Sequence, residues 1–179
     1  STSVTGLAPG DEMDSSEAKI AGAACLAVAT DAGIDLFHEP EATLAVTEQL
    51  IADGAVVVSE AATEIVRVES GRPRLEIEMN AGPMPAEAGL VGRAVDFNKG
   101  CYIGQEPVAR LHYRGKPNRF LRGLRLEGPT ASGDVVRLGE RDLGTIGTAV
   151  VSPASGRIAL TILRKEAEPG AEVIVATAA

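Results

Sequence analysis

The sequence predicts an α+β fold in which a mixed α/β domain is followed by a small antiparallel β-barrel. Three observations carry that expectation. Strand-like and helix-like patterns alternate as far as residue 70, the hydrophobic period becomes two from Phe120 onward, and Gly or Pro interrupts the second region every few residues. A chain of 179 residues, 45% apolar and 23% charged, is long enough to build real cores.

Residues 1 to 16 are rich in Ser, Thr, Gly, Asp and Glu without a period, so a flexible N-terminal segment is expected over 1–19. Ile20 to Thr30 is an apolar run of small residues and reads as a buried strand. Asp31-Ala32-Gly33 turns it into Ile34-Asp35-Leu36-Phe37 as a hairpin. Pro40 opens a helix whose apolar face carries Leu44, Val46, Leu50 and Ile51, and Gly54 closes it. Ala55-Val56-Val57-Val58 reads as a short buried strand. Ser59 caps the next helix, which passes Ile65, Val66 and Glu69 and stops at Gly71-Arg72-Pro73. Residues 71–98 hold Gly71, Pro73, Gly82, Pro83, Pro85 and Gly89 with no period, the mark of a functional loop or of a wrap between domains. Short strands then begin near Leu121, Val135, Leu143, Ile158 and Val173. The expected domains are therefore 20–117, with a distinctive loop and helix at 96–115, and 118–179.

Composition excludes several classes. The run from Ile20 to Ala29 is too short to cross a bilayer and is bounded by Lys19 and Asp31, and no secretory signal pattern opens the chain, so a cytoplasmic, membrane-free protein is expected. Cys25, Cys101, His38 and His112 have neither disulfide-scaffold nor metal-site spacing. The net charge of −8 is uneven. Residues 1–98 carry 5 basic against 17 acidic side chains and 99–179 carry 12 against 8. Lys99, Arg110, Arg114, Lys116, Arg119, Arg122 and Arg125 face only Glu106 in their stretch, which suits an anionic partner or a solvated helix.

Residues 96–110, Asp-Phe-Asn-Lys-Gly-Cys-Tyr-Ile-Gly-Gln-Glu-Pro-Val-Ala-Arg, pack a thiol, an ammonium, a phenol, an amide, carboxylates and a guanidinium around two glycines. The glycines allow a sharp turn or a close approach. After Gly104 a short helix is expected, with Pro107 in its first turn, Glu106 one turn before Arg110, and Gly115 followed by Pro117 as its stop. Cys101 then lies just ahead of a helix N-terminus and close to Lys99, and both favour a thiolate that reacts or ligates. The competing reading is a small buried hydrophobe.

Arg67-Val68-Glu69-Ser70-Gly71 is a second constellation. A carboxylate on the last turn of a helix opposes the macrodipole unless something there wants an anion. Two adjacent N–H donors of a planar heterocycle would meet Glu69 in a bidentate pair, whereas a surface pair with Arg67 or Arg72 is the plainer alternative.

The word Lys-Gly-Cys-Tyr-Ile-Gly-Gln-Glu at 99–106, followed by Arg110, resembles the signature of the YgfZ family, folate-binding relatives of the glycine-cleavage T-protein that act in iron-sulfur protein maintenance. The R-x-E-x-G word at 67–71, the segment Pro85-Ala86-Glu87-Ala88-Gly89-Leu90 and Leu121-Arg122-Gly123-Leu124 with the strands after it resemble the same families, so the likeness runs over about residues 20 to 178. Family chains extend further on the N-terminal side, and the sequence resembles a C-terminal portion, its α/β domain incomplete at that side. The T-protein lacks the K-G-C word, which favours YgfZ.

The resemblance implies tetrahydrofolate, or a one-carbon derivative, as cofactor. It places Glu69 on the pterin, with Arg67, Tyr102, Gln105, Glu106 and Arg110 as further cofactor-binding candidates, and Cys101 and Lys99 as the chemical pair. No metal site is implied. Folate and iron-sulfur client or assembly proteins are the implied partners. Two alternatives stay open: a folate-dependent aminomethyltransferase using Lys99 and Glu106, and a tRNA-binding or tRNA-modification module contacting RNA through 110–125. Aromatic content of 3% offers few stacking platforms for the last. Glu76 stands where related sequences often have Gly.

Overall fold

The computed structural model describes residues 11–31, 33–79 and 82–177. The fold is α+β, with helices and antiparallel sheets, and it divides into two compact units, 1–58 and 59–179.

In the first unit β1 (Ser15–Ile20), β2 (Ala23–Thr30) and β3 (Gly33–His38) form an antiparallel sheet in that order. Positive φ at Ala21 (49°) and Gly22 (84°) makes the two-residue turn between β1 and β2, the geometry that matches strand twist. A strand thus occupies the end of the stretch expected to be flexible, and the apolar run breaks at Ala21 rather than continuing from Ile20. The residue expected to centre the second turn, Ala32, lies outside the described residues. A single 3-10 turn at Pro40–Ala42 leads into α1 (Thr43–Ala52). Ile20, Cys25 and Val46 are buried together, with Leu36 and Leu50 against them. Leu44 and Ile51 were expected on the same face but stand exposed. Val56, Val57 and Val58 form no strand and are exposed at 83%, 72% and 60%. They have no ladder partner among the described residues, and the Ala55 N–H instead closes the end of α1 on the Leu50 carbonyl.

The second unit opens with α2 (Glu60–Glu69), whose start is held by Ser59 Oγ accepting from the Ala62 N–H at 3.2 Å. Its end is a Schellman closure: Gly71, at φ 65°, donates to the Val68 carbonyl and Arg72 to that of Arg67. The irregular stretch that follows contains a bridge between Leu75 and Met79, with Glu76 at φ 67° at its crest. At that angle a Cβ costs about 1–2 kcal/mol, which a glycine would avoid. Glu76→Gly should raise stability by about 0.5–1 kcal/mol after the entropy that glycine gains in the unfolded chain. An unchanged or lower urea midpoint would contradict this.

Short helices α3 (Val91–Ala94) and α4 (Gln105–Arg114) precede six strands. These are β4 (Arg119–Arg125), β5 (Val135–Leu138), β6 (Arg141–Thr145), β7 (Thr148–Ser152), β8 (Gly156–Arg164) and β9 (Ile174–Ala176). They pair as two three-stranded antiparallel sheets, β4-β8-β7 and β6-β5-β9. Val136, Leu143, Ile146, Ala159, Leu163 and Ala167 fill one core with residues of both sheets. The ladders do not close into the expected barrel among the described residues. The run from Leu143 to Val151 is two strands, because the chain passes from one sheet to the other at Ile146-Gly147.

Candidate functional site

Glu69 is the last residue of α2, and its side chain is exposed. Its Oε1 accepts a hydrogen bond from Ser152 Oγ at 2.5 Å. Ser152 ends β7, is only 2% exposed, and also accepts from the Ala154 and Ser155 N–H groups at 3.0 and 2.8 Å. The carboxylate that opposes the macrodipole is therefore tied to the turn between β7 and β8, and its Oε2 accepts no hydrogen bond among the described residues. Such an anchored, half-open carboxylate suits the paired N–H edge of a planar heterocycle.

Arg67 lies two residues earlier in α2, and its side chain is engaged within the protein. Its five N–H donors meet Glu64 through Nε and Nη2, the Arg72 carbonyl and Glu78 through Nη1, and Thr148 through Nη2. No donor remains for a ligand, so Arg67 is scaffold. Glu78 has a fully buried carboxylate that also accepts from Thr148 Oγ1 at 2.6 Å and from the Arg74 N–H at 2.9 Å. The Glu64 hydrogen bond is the main reason that the Arg67 guanidinium is held above its ordinary value, and the charge of Glu78 adds to it. Arg67 in turn holds the Glu64 carboxyl below the usual carboxylate range. Glu64, Glu78 and Thr148 line a cleft of about 780 Å³ with Arg119 and Arg164 on its rim, and none of the residues at 99–106 reaches it.

Cys101 is exposed and lies three residues before Gly104, which caps α4 at φ 88°. Lys99 directs its ammonium over the Tyr102 ring, 4.7 Å from the centroid. The Tyr102 N–H donates to Gln105 Oε1 at 3.3 Å, folding the loop back on the start of the helix. Glu106 and Arg110 are exposed and form no ion pair with each other among the described residues, although both border a shallow hollow with Tyr113. Phe97 stacks on His112 at 4.0 Å, with Tyr113 edge-on to both, so the motif and α4 share a small aromatic cluster. The helix has no buried residue, and Ile103 is fully exposed. No hydrogen bond or ion pair among the described residues joins Glu69 to the 99–110 motif. Of the basic stretch, Arg122 turns inward and donates to the Ala167 carbonyl at 3.0 Å.

Several known proteins are similar to this chain in sequence. A chloroplastic protein of Arabidopsis thaliana, named only as a candidate transferase, is 32% identical over 139 residues, which is 77% of this chain and 32% of its own. The tRNA-modifying protein YgfZ of Colwellia psychrerythraea is 34% identical over 103 residues, 56% of this chain and 30% of its own. The mitochondrial iron-sulfur cluster assembly factor IBA57 of Mus musculus is 33% identical over 108 residues, 58% of this chain and 30% of its own. These similarities support a YgfZ-family assignment. The chain spans about a third of the length of these curated relatives. No family model matches it.

Among the described residues, no three His, Cys, Asp or Glu side chains gather as a metal site, and no helix is long and apolar enough to cross a membrane. Sequence reasoning missed Glu64, Glu78, Thr148 and Ser152. Glu64, spaced i,i+3 from Arg67, and Ser152-Pro153, a turn-initiating pair, carried local signals.

Proposed function

We propose that the chain is the tetrahydrofolate-binding part of an accessory protein of iron-sulfur cluster assembly or repair. Glu69 meets the pterin edge, and Cys101 serves the cluster chemistry as a redox-reactive or transiently ligating thiol. The observation that carries this reading is the exposed Glu69 carboxylate, anchored through one oxygen and open at the other. Exposure of Cys101 within the Lys99–Glu106 word supports the second role. One thiolate cannot hold a common cluster, which takes four ligands, so a cluster handled here is cargo completed by a partner's ligands. Tyr102, Gln105, Glu106 and Arg110 border the motif that would face the ligand, and Lys99 stays beside them through Tyr102.

The test uses the full chain with tetrahydrofolate. Glu69→Gln replaces one acceptor oxygen with a donor and should weaken binding by about 1.5–3 kcal/mol, roughly ten- to a hundredfold. Cys101→Ser should leave that affinity intact and abolish support of iron-sulfur enzymes in cells lacking the protein. Unaltered affinity in Glu69→Gln removes that residue from the site, and full support by Cys101→Ser makes the thiol structural. Turnover of an aminomethyl donor at ordinary enzymatic rates would replace the accessory reading with the transferase one.

A further inference from the structure

We infer that Ser152 is the positioning residue of Glu69, fixing the carboxylate so that it selects a heterocycle with two adjacent N–H donors. The inference rests on the folate reading above. A serine hydroxyl has one proton and two lone pairs. Here the Ala154 and Ser155 N–H groups, 3.0 and 2.8 Å away, take both lone pairs of Ser152 Oγ. The remaining proton can go only to Glu69 Oε1, at 2.5 Å. Because Ser152 is 2% exposed, solvent does not compete for that proton.

Glu69 is thereby held as an acceptor in one orientation. Its Oε2 and the second lone pair of Oε1 remain as acceptors on an exposed residue, and together they match a ring N–H beside an exocyclic amine. An isostere presenting an acceptor at either position would face a carboxylate that can neither rotate away nor donate. An untethered glutamate at the end of a helix would instead disperse over several rotamers and be pushed off by the macrodipole. Ser152 touches no ligand in this scheme and acts only through Glu69.

Titration calorimetry of the full chain with tetrahydrofolate tests this, with thermal melting of each variant in parallel. Ser152→Ala should lower affinity about tenfold, and Ser152→Thr, which keeps the hydroxyl, should restore it to within about threefold of the parent. In the Glu69→Gln background Ser152→Ala should have no further effect on affinity, although it lowers the melting temperature in both backgrounds. Equal affinity losses in the two backgrounds, or a threonine variant as weak as the alanine one, would overturn the positioning role. If Ser152→Ala does not fold, Glu69→Asp withdraws the carboxylate from Ser152 Oγ with the turn intact and should show the same tenfold loss. Parental affinity in that variant also overturns the inference. A parent chain that binds no tetrahydrofolate overturns the folate reading and this one with it, a result distinct from binding that is indifferent to Ser152.

Discussion

Arg67→Met is expected to destabilise the second unit by about 3–5 kcal/mol, the usual range for removing one partner of a buried ion pair. Glu78 would be left with a carboxylate that has no access to solvent and loses the cation bonded to it at 3.2 Å. Total stabilities of single domains lie near 5–15 kcal/mol, so the substitution would remove a large share. Urea unfolding of the parent and variant is the measurement, and a loss under about 1 kcal/mol would mean that Glu78 finds another partner. The acid limb should change as well. Because Arg67 holds Glu64 below its ordinary value of 4.5, that carboxylate contributes stability above about pH 4.5, and the contribution is lost as pH falls through the lowered value. Without Arg67 that part of the slope should vanish.

The second large effect is expected at Gly147. A Cβ there would lie 2.7 Å from Glu78 Oε1, 2.8 Å from its Cγ and 2.9 Å from the Leu160 carbonyl oxygen. One of these atoms is backbone within a ladder, and the other two belong to a side chain pinned by Arg67, Thr148 and the Arg74 N–H. Nothing nearby yields easily, so Gly147→Ala should cost about 1–3 kcal/mol through overpacking. Its loss and that of Arg67→Met act on the same carboxylate. The double variant should therefore lose measurably less than the sum of the two. Strict additivity in urea unfolding would show that Gly147 strains the sheet and leaves the ion-pair network alone.

Local chemistry was legible in the sequence, and contacts across long separations were not. The Ser59 cap, the Gly71 stop, the helix after Gly104 and the change to short strands after residue 118 each follow from neighbouring residues. Val56, Val57 and Val58 mislead because a β-branched run reads as a strand whether or not a partner strand is available. The Ala21-Gly22 turn lacks the Asn-Gly or Asp-Gly chemistry that announces a tight hairpin, so one strand was expected where two stand. At the site, Glu69 was picked out by its misfit with the macrodipole. Arg67 drew attention only as a neighbour of Glu69 in the R-x-E-x-G word, and its partners Glu78 and Thr148 come from distant segments that carry no shared pattern. Ser152 is hidden likewise.

The Arg67 to Thr148 contact joins residues 81 apart, and Glu69 to Ser152 joins residues 83 apart. A ribosome adding about 5–20 residues per second takes roughly 4–16 s to make that much chain. Through that interval α2 is a ten-residue helix with nothing to pack on, shorter than an isolated helix needs in order to persist in water. The nascent chain thus emerges with Ile65 and Val68 uncovered and with the Arg67 donors open to water, and α2 docks only when β7 arrives. Contacts of such separation form late, and the folding of this unit is timed by its last strands rather than by its first helix.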